Sequence, residues 1–305
     1  MGNRAYEFVQ LDVFTQRPLE GNPLAVFPDA RGLSDAEMQA VAREMNLSET
    51  TFILPRDAAV EAREGKKVRI FTVEAELPFA GHPTLGTSLY LYASEPDQTK
   101  PAEITLDLKA GKIPVRFTAN PESAGPGRVD GQVFGEMRQR DPEFGVTLAH
   151  EKVARVLGIA ANEIPWPIQA VSTGLPFAIV GLRSQKALAN LNFSQAQAEE
   201  FLKNSGARFF YFLCPDRHEG RLEARARMFF YGGEDPATGS AAGCAASWMV
   251  QHGIANSDEQ VIIRQGVEMG RPSEIHVRAT REGERVTNVR VGGYAVELLR
   301  GTMSL

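Results

Sequence analysis

The sequence predicts an α+β protein of two similar halves. Three observations carry that reading: strand-like segments outnumber helical ones without alternating regularly with them, a Pro- and Gly-rich segment divides the chain, and one short polar turn recurs on either side of it. At 305 residues the chain is long enough for two cores. With 43% hydrophobic and 23% charged residues it is globular in composition rather than disordered.

In the first half, "YEFVQLDVF" and "PLAVF" concentrate β-formers on either side of the turn Glu20 to Pro23, which predicts a hairpin. A helix follows. Ser34 with Glu37 forms a capping box, Met38, Val41, Ala42 and Met45 recur at helical spacing, and Asn46 is a stop. "TTFIL" and "KVRIFTV" read as strands, and "ITLDLKAGKIPVRF" as two strands about an Ala-Gly turn. The segment from Asn120 to Asp130, "NPESAGPGRVD", is the expected boundary. The expected domains are residues 1–122, joined by a returning C-terminal segment 295–305, and residues 123–294.

The second half opens with the strand "QVFGEMRQR" and the helix "LAHEKVARVLG", ending at Gly158. "IQAVSTG" and "PFAIVGL" are strands, a pair of short helices follows, and "RFFYFLCP" with "RLEARARMFFY" predicts a long hairpin. Beyond Gln260 the sequence is again strand-rich.

The recurring turn is "HPTLGT", His82 to Thr87, against "DPATGS", Asp235 to Ser240, a match without a gap. Each follows a predicted strand and enters a helical stretch. A Gly-rich turn at a helix start offers backbone N–H groups at the positive end of the dipole, which suits an anion. Related by a pseudo-two-fold, two such turns would grip a small carboxylate in a cleft between the halves. As helix caps alone they would need no ligand.

Several function classes drop out. "GEDPATGSAAG" lacks the lysine of a phosphate loop, no G-x-S-x-G surrounds Ser88 or Ser240, and "GPGRVDG" fails the dinucleotide spacing. A net charge of −5 disfavours nucleic-acid and anionic-membrane surfaces. Two cysteines, Cys214 and Cys244, cannot make a disulfide framework, and neither C-x-x-C nor H-E-x-x-H occurs, so no metal is expected. With no apolar leader or bilayer-length apolar run, the expected location is the cytoplasm.

Among acid/base candidates, Glu49 in "NLSETTF" stands where a helix end meets an apolar strand, and partial burial there would let a carboxylate take and return a proton. Each candidate also has a plainer reading: Glu49 as a solvated charge, His82 as a hydrogen-bonded structural histidine, Asp235 as a helix N-cap.

"PLEGNPLAVF", "VAREMNLSETTF", "ELPFAGHPTLGT", "EDPATGSAAG" and "RQGVEMGRPS" occur in that order across both halves, and in them the sequence resembles the phenazine-biosynthesis isomerase (PhzF) family. The resemblance implies a diaminopimelate-epimerase-like fold, with each domain a sheet wrapped round a central helix. It implies Glu49 as catalytic acid/base, and His82, Asp235 and Ser240 as catalytic or substrate-binding groups. Asn22, Gly81, Thr238 and Gly239 are expected as further substrate contacts. The implied activity is isomerisation of trans-2,3-dihydro-3-hydroxyanthranilate or a related small carboxylic acid, by a homodimer without a cofactor. An epimerase of an amino-acid-like substrate and a non-catalytic carboxylate binder stand as the other readings. Racemases of this fold use a thiol in each turn, whereas neither cysteine here lies in one.

Overall fold

The structure is a computed structural model describing residues 4–119, 129–230 and 233–305. It divides into two compact units, Met1–Met137 with Gly292–Leu305, and Arg138–Val291. Of the expected boundary segment, residues 120–128 lie outside the described residues.

The first unit opens with β1 (Ala5–Val13) and β2 (Asn22–Phe27), the expected antiparallel hairpin. Helix α1 (Asp35–Met45) carries the full Ser34–Glu37 capping box and ends at Asn46 in the left-handed conformation. Met38, Val41 and Ala42 form its buried face, while Met45 is only half-buried. Then come β3 (Glu49–Ile53), a short α2 (Ala58–Glu64), β4 (Lys66–Phe71), the two-residue β5 (Glu76–Leu77), α3 (Gly81–Ser94), β6 (Glu103–Leu108), β7 (Gly111–Ala119) and β8 (Val133–Arg138). Helix α2 buries none of its residues, so no apolar stripe marks it in the sequence.

The second unit runs β9 (Glu143–Leu148), α4 (His150–Leu157), β10 (Ile168–Ser172), β11 (Pro176–Gly181), α5 (Gln185–Ala189), α6 (Gln195–Leu202), β12 (Phe209–His218), β13 (Arg221–Phe230), β14 (Gly233–Glu234), α7 (Gly239–Gln251), β15 (Val261–Gln265), β16 (Ser273–Glu282) and β17 (Arg285–Gly293). The last strand, β18 (Ala295–Ser304), belongs to the first unit, where it pairs antiparallel with β1.

Both units pair their strands on one plan. In the first, β1–β2 is antiparallel, β2–β3 parallel, β3–β4 antiparallel, β4–β6 parallel and β6–β7 antiparallel. In the second the same order runs through β10, β11, β12, β13, β15 and β16. The central helices α3 and α7 occupy corresponding places. Helix α3 packs on β1, β2, β3 and β6, and α7 on β10, β11, β12 and β16. A helix buried this far round needs small residues to let the strands close in. In α7 they are Gly239, Ala241, Ala242, Gly243, Ala245 and Ala246; in α3, a Cβ on Gly86 would lie 2.7 Å from side-chain carbons of both Leu24 and Val13.

The shared plan corrects the turn alignment. Arg69 grips Glu76 through two hydrogen bonds of 2.8 and 3.0 Å, and Arg227 grips Glu234 through two of 2.8 Å. Each guanidinium also lies over the phenylalanine two residues on, Phe71 or Phe229. Arg69, Phe71, Glu76, Pro78 and Gly81 thus match Arg227, Phe229, Glu234, Pro236 and Gly239, and each central helix starts at the final Gly. "LPFAGH" is therefore the counterpart of "DPATGS", so His82 matches Ser240 and Leu77 matches Asp235. The gapless match of "HPTLGT" fails because Pro and Gly are common enough in turns for a short motif to slide.

Arg227 also donates to the carbonyls of Leu188 and Ala189 at the end of α5. Arg227→Met is expected to cost about 3 kcal/mol in urea denaturation by leaving Glu234 without its partner, and Arg227→Met with Glu234→Leu to recover part of it.

Candidate functional site

In the first unit the αL residue Asn46 ends α1, and Leu47 and Ser48 bring the chain to Glu49, the first residue of β3. Glu49 opens the parallel ladder with β2 opposite Leu24. Its side chain is 15% exposed, which sets aside the fully solvated reading. His82 sits in the first turn of α3, buried, with Nδ1 3.5 Å from Glu49 Oε2. Gly81 precedes it, and Asn22, buried, is the first residue of β2. The structure thereby brings Glu49 and His82 together.

Burial pushes the His82 imidazole down to about 3, against the smaller upward pull of the Pro23 carbonyl. The ring is therefore neutral near pH 7, and its approach to Glu49 is not an ion pair. The Pro23 carbonyl can only accept, and with Nε2 unbonded it accepts the Nδ1 proton, which leaves Nε2 an acceptor. That buried Nε2 has no hydrogen-bond partner among the described residues.

In the second unit β14 leads into Asp235, which is buried and donates its backbone N–H to the Met228 carbonyl at 2.9 Å. Thr238, not Asp235, holds the N-cap position of α7, so the N-cap reading of Asp235 is corrected. The Thr238 hydroxyl makes no cap; it donates to Asp235 Oδ2 at 2.6 Å. Gly239 and Ser240 form the first turn, Gly239 buried and Ser240 half-buried. Asp235, Thr238, Gly239 and Ser240 thus form one cluster.

Neither central helix has a side-chain cap, whereas α1, α5 and α6 are capped by Ser34, Ser184 and Ser194. The two most buried helices leave their first N–H groups to backbone or ligand. Sequence reasoning missed the side chains that seat the second turn, Gln265 and Ser273. Their only signal was the "RQGVEMGRPS" stretch, to which no role attached.

The cysteines are placed for packing. Cys244 lies in α7 with Sγ 3.6 Å from Thr173 Oγ1, and burial pushes its thiol up to about 11. Cys214 lies buried on β12, its thiol also raised by burial. Neither supplies thiolate near pH 7.

Residues 11–301 match the family model described as phenazine biosynthesis-like protein. The trans-2,3-dihydro-3-hydroxyanthranilate isomerase of Pseudomonas aeruginosa is 37% identical over 300 residues, covering 97% of this chain and 98% of that one. A crystal structure of a PhzF-family phenazine biosynthesis protein from Bacillus anthracis, 25% identical, superposes with a TM-score of 0.82 over 98% of this chain and 99% of that one. A hydroxyproline epimerase from Agrobacterium vitis, 13% identical, shares the fold at a TM-score of 0.60, over 99% of this chain and 93% of that one. The fold is diaminopimelate-epimerase-like, as the resemblance implied.

The buried neutral His82 has a folded pKa below its unfolded value near 6.5, so its contribution to stability is complete above pH 6.5 and is lost as the pH falls toward 3. Denaturant titrations from pH 7 to pH 4 are expected to show stability falling more steeply in the wild type than in His82→Gln, by up to about 1.4 kcal/mol per pH unit.

Proposed function

The chain belongs to the phenazine biosynthesis-like protein family and is an isomerase, and from that premise we propose that it moves a proton on a small cyclic carboxylic acid of the dihydrohydroxyanthranilate type, without a cofactor. The observation that carries the reading is Glu49, mostly buried and 3.5 Å from a neutral imidazole. A carboxylate so placed can abstract a proton from one carbon and return it to another, while neutral His82 accepts a substrate N–H or O–H at Nε2 without neutralising the base. Asp235 and Ser240 are proposed as substrate contacts. Asn22 and Thr238 are proposed as further substrate contacts, and the backbone N–H groups of Gly81 and Gly239, at the starts of α3 and α7, as donors suited to a carboxylate.

Pairing registers favour a one-base mechanism. Glu49 opens the β2–β3 ladder opposite Leu24, and Phe209 opens the β11–β12 ladder opposite Phe177. Phenylalanine therefore stands in the second unit where the base stands in the first. Two-base epimerisation needs an acid/base on each face of the carbon, and neither Phe209 nor the raised Cys244 thiol provides one. Asp235 Oδ2 already accepts the Thr238 hydroxyl. The family resemblance further supports a homodimer acting on a small molecule, and the cytoplasm is proposed as its location.

Incubation with trans-2,3-dihydro-3-hydroxyanthranilate in deuterated water is expected to give isomerisation with solvent deuterium in the product, and Glu49→Gln to lose about a thousandfold in kcat with an unchanged thermal melt. Full activity in that variant refutes the assignment. A native thiol titration is expected to find both cysteines unreactive, and activity to survive the treatment; stoichiometric inactivation would instead favour thiol-based racemisation.

A further inference from the structure

Loop 265–273 forms the socket of the second turn. Gly266 adopts φ +74°, and a Cβ there would lie 2.7 Å from the Pro236 carbonyl oxygen and closer still to that of Arg271. Ser273 Oγ donates to the same Pro236 carbonyl at 2.7 Å. Gln265, fully buried at the end of β15, spends its whole amide on this turn and on one phenol. Its Nε2 donates to the Asp235 carbonyl at 2.7 Å and to Thr238 Oγ1 at 2.9 Å. Its Oε1 accepts the Tyr211 hydroxyl at 3.0 Å and the Thr238 backbone N–H at 3.2 Å.

These bonds have a direction. Because Thr238 Oγ1 receives the Gln265 N–H, its single proton is committed to Asp235 Oδ2, 2.6 Å away. Tyr211 of β12 keeps its proton: burial first, and then the nearby Asp235 carboxylate, push its phenol far up. Its hydroxyl donates to Gln265 Oε1, while the Asp235 carbonyl, which can only accept, and the Thr238 backbone N–H, which can only donate, keep the amide from flipping. Of the neighbouring charges, Arg227 on β13 is locked to Glu234 on β14, and Arg264 beside Gln265 is paired with Glu223 and Glu274.

We propose that Gln265, backed by Tyr211, is a positioning residue that seats the Asp235–Ser240 turn and fixes the Thr238 hydroxyl as a permanent donor to Asp235. The Asp235 carboxylate is thereby held as an acceptor of fixed orientation. The geometry stands without the isomerase reading, and only its kinetic consequence rests on that reading.

The test labels the aspartate carboxyl carbons with 13C, assigns Asp235 by its loss in Asp235→Asn, and follows its NMR titration in the full chain. Thr238→Val is expected to raise the Asp235 midpoint by about one pH unit, and Thr238→Ser to restore the wild-type midpoint. Gln265→Met is expected to shift it in the same sense, with Tyr211→Phe as the milder change should Gln265→Met not fold. A wild-type midpoint in Thr238→Val, or in both Gln265→Met and Tyr211→Phe, overturns the proposal. With active enzyme, kcat is expected to fall in Thr238→Val and recover in Thr238→Ser. The carbon titration needs no substrate, so failure of the proposed activity leaves that result standing.

Discussion

Each unit of this protein is organised by one constraint: a helix buried on nearly every side must begin inside the protein, where its first N–H groups find no bulk water. Surface helices such as α1 meet that need with a serine cap. Helices α3 and α7 do not, and start instead at a glycine after a Pro-containing turn. The turn must then be held by something other than its own cap. In both units an Arg–Glu pair anchors the strand just before it, Arg69 with Glu76 and Arg227 with Glu234, each pair largely shielded from solvent.

The sequence made legible those features that depend on local periodicity and local caps. The capping box at Ser34, the left-handed stop at Asn46, the αL glycine after α4 and the two long hairpins all appear where patterning puts them. What patterning missed was short or had no apolar stripe, as with α2, β5 and β14. The repeat was visible but misregistered by five residues, because the true alignment rests on Arg227 and Glu234, seven residues apart, rather than on the turn's own letters. In the candidate site, Glu49 was singled out by its position at a helix–strand junction, and the structure places it mostly buried beside His82. Gln265 was not, because an amide that works entirely through buried hydrogen bonds carries no local signature in sequence.

The pairing of Glu49 with His82 gains its chemical character from burial. A solvated histidine beside a carboxylate would be partly protonated near neutrality and would hold the carboxylate in an ion pair. At His82 burial removes that option, so the imidazole stays neutral and its approach to the carboxylate is not an ion pair. The cost is a buried Nε2 with no hydrogen-bond partner among the described residues, a departure from polar satisfaction that calls for an explanation.

The repeated frame shows where the two units have parted. Matched by their Arg–Glu anchors and ladder registers, Glu49 stands against Phe209, His82 against Ser240, Leu77 against Asp235 and Gly86 against Cys244. The frame-building residues agree, namely arginine, phenylalanine, glutamate, proline and glycine, while positions available for chemistry differ in kind. A symmetric reaction, with a base on each side of one carbon, would hold the second set alike as well. The first unit keeps a carboxylate 3.5 Å from a neutral imidazole, whereas the second has Phe209 and Ser240 at the matched positions, with the Asp235 carboxylate accepting the Thr238 hydroxyl.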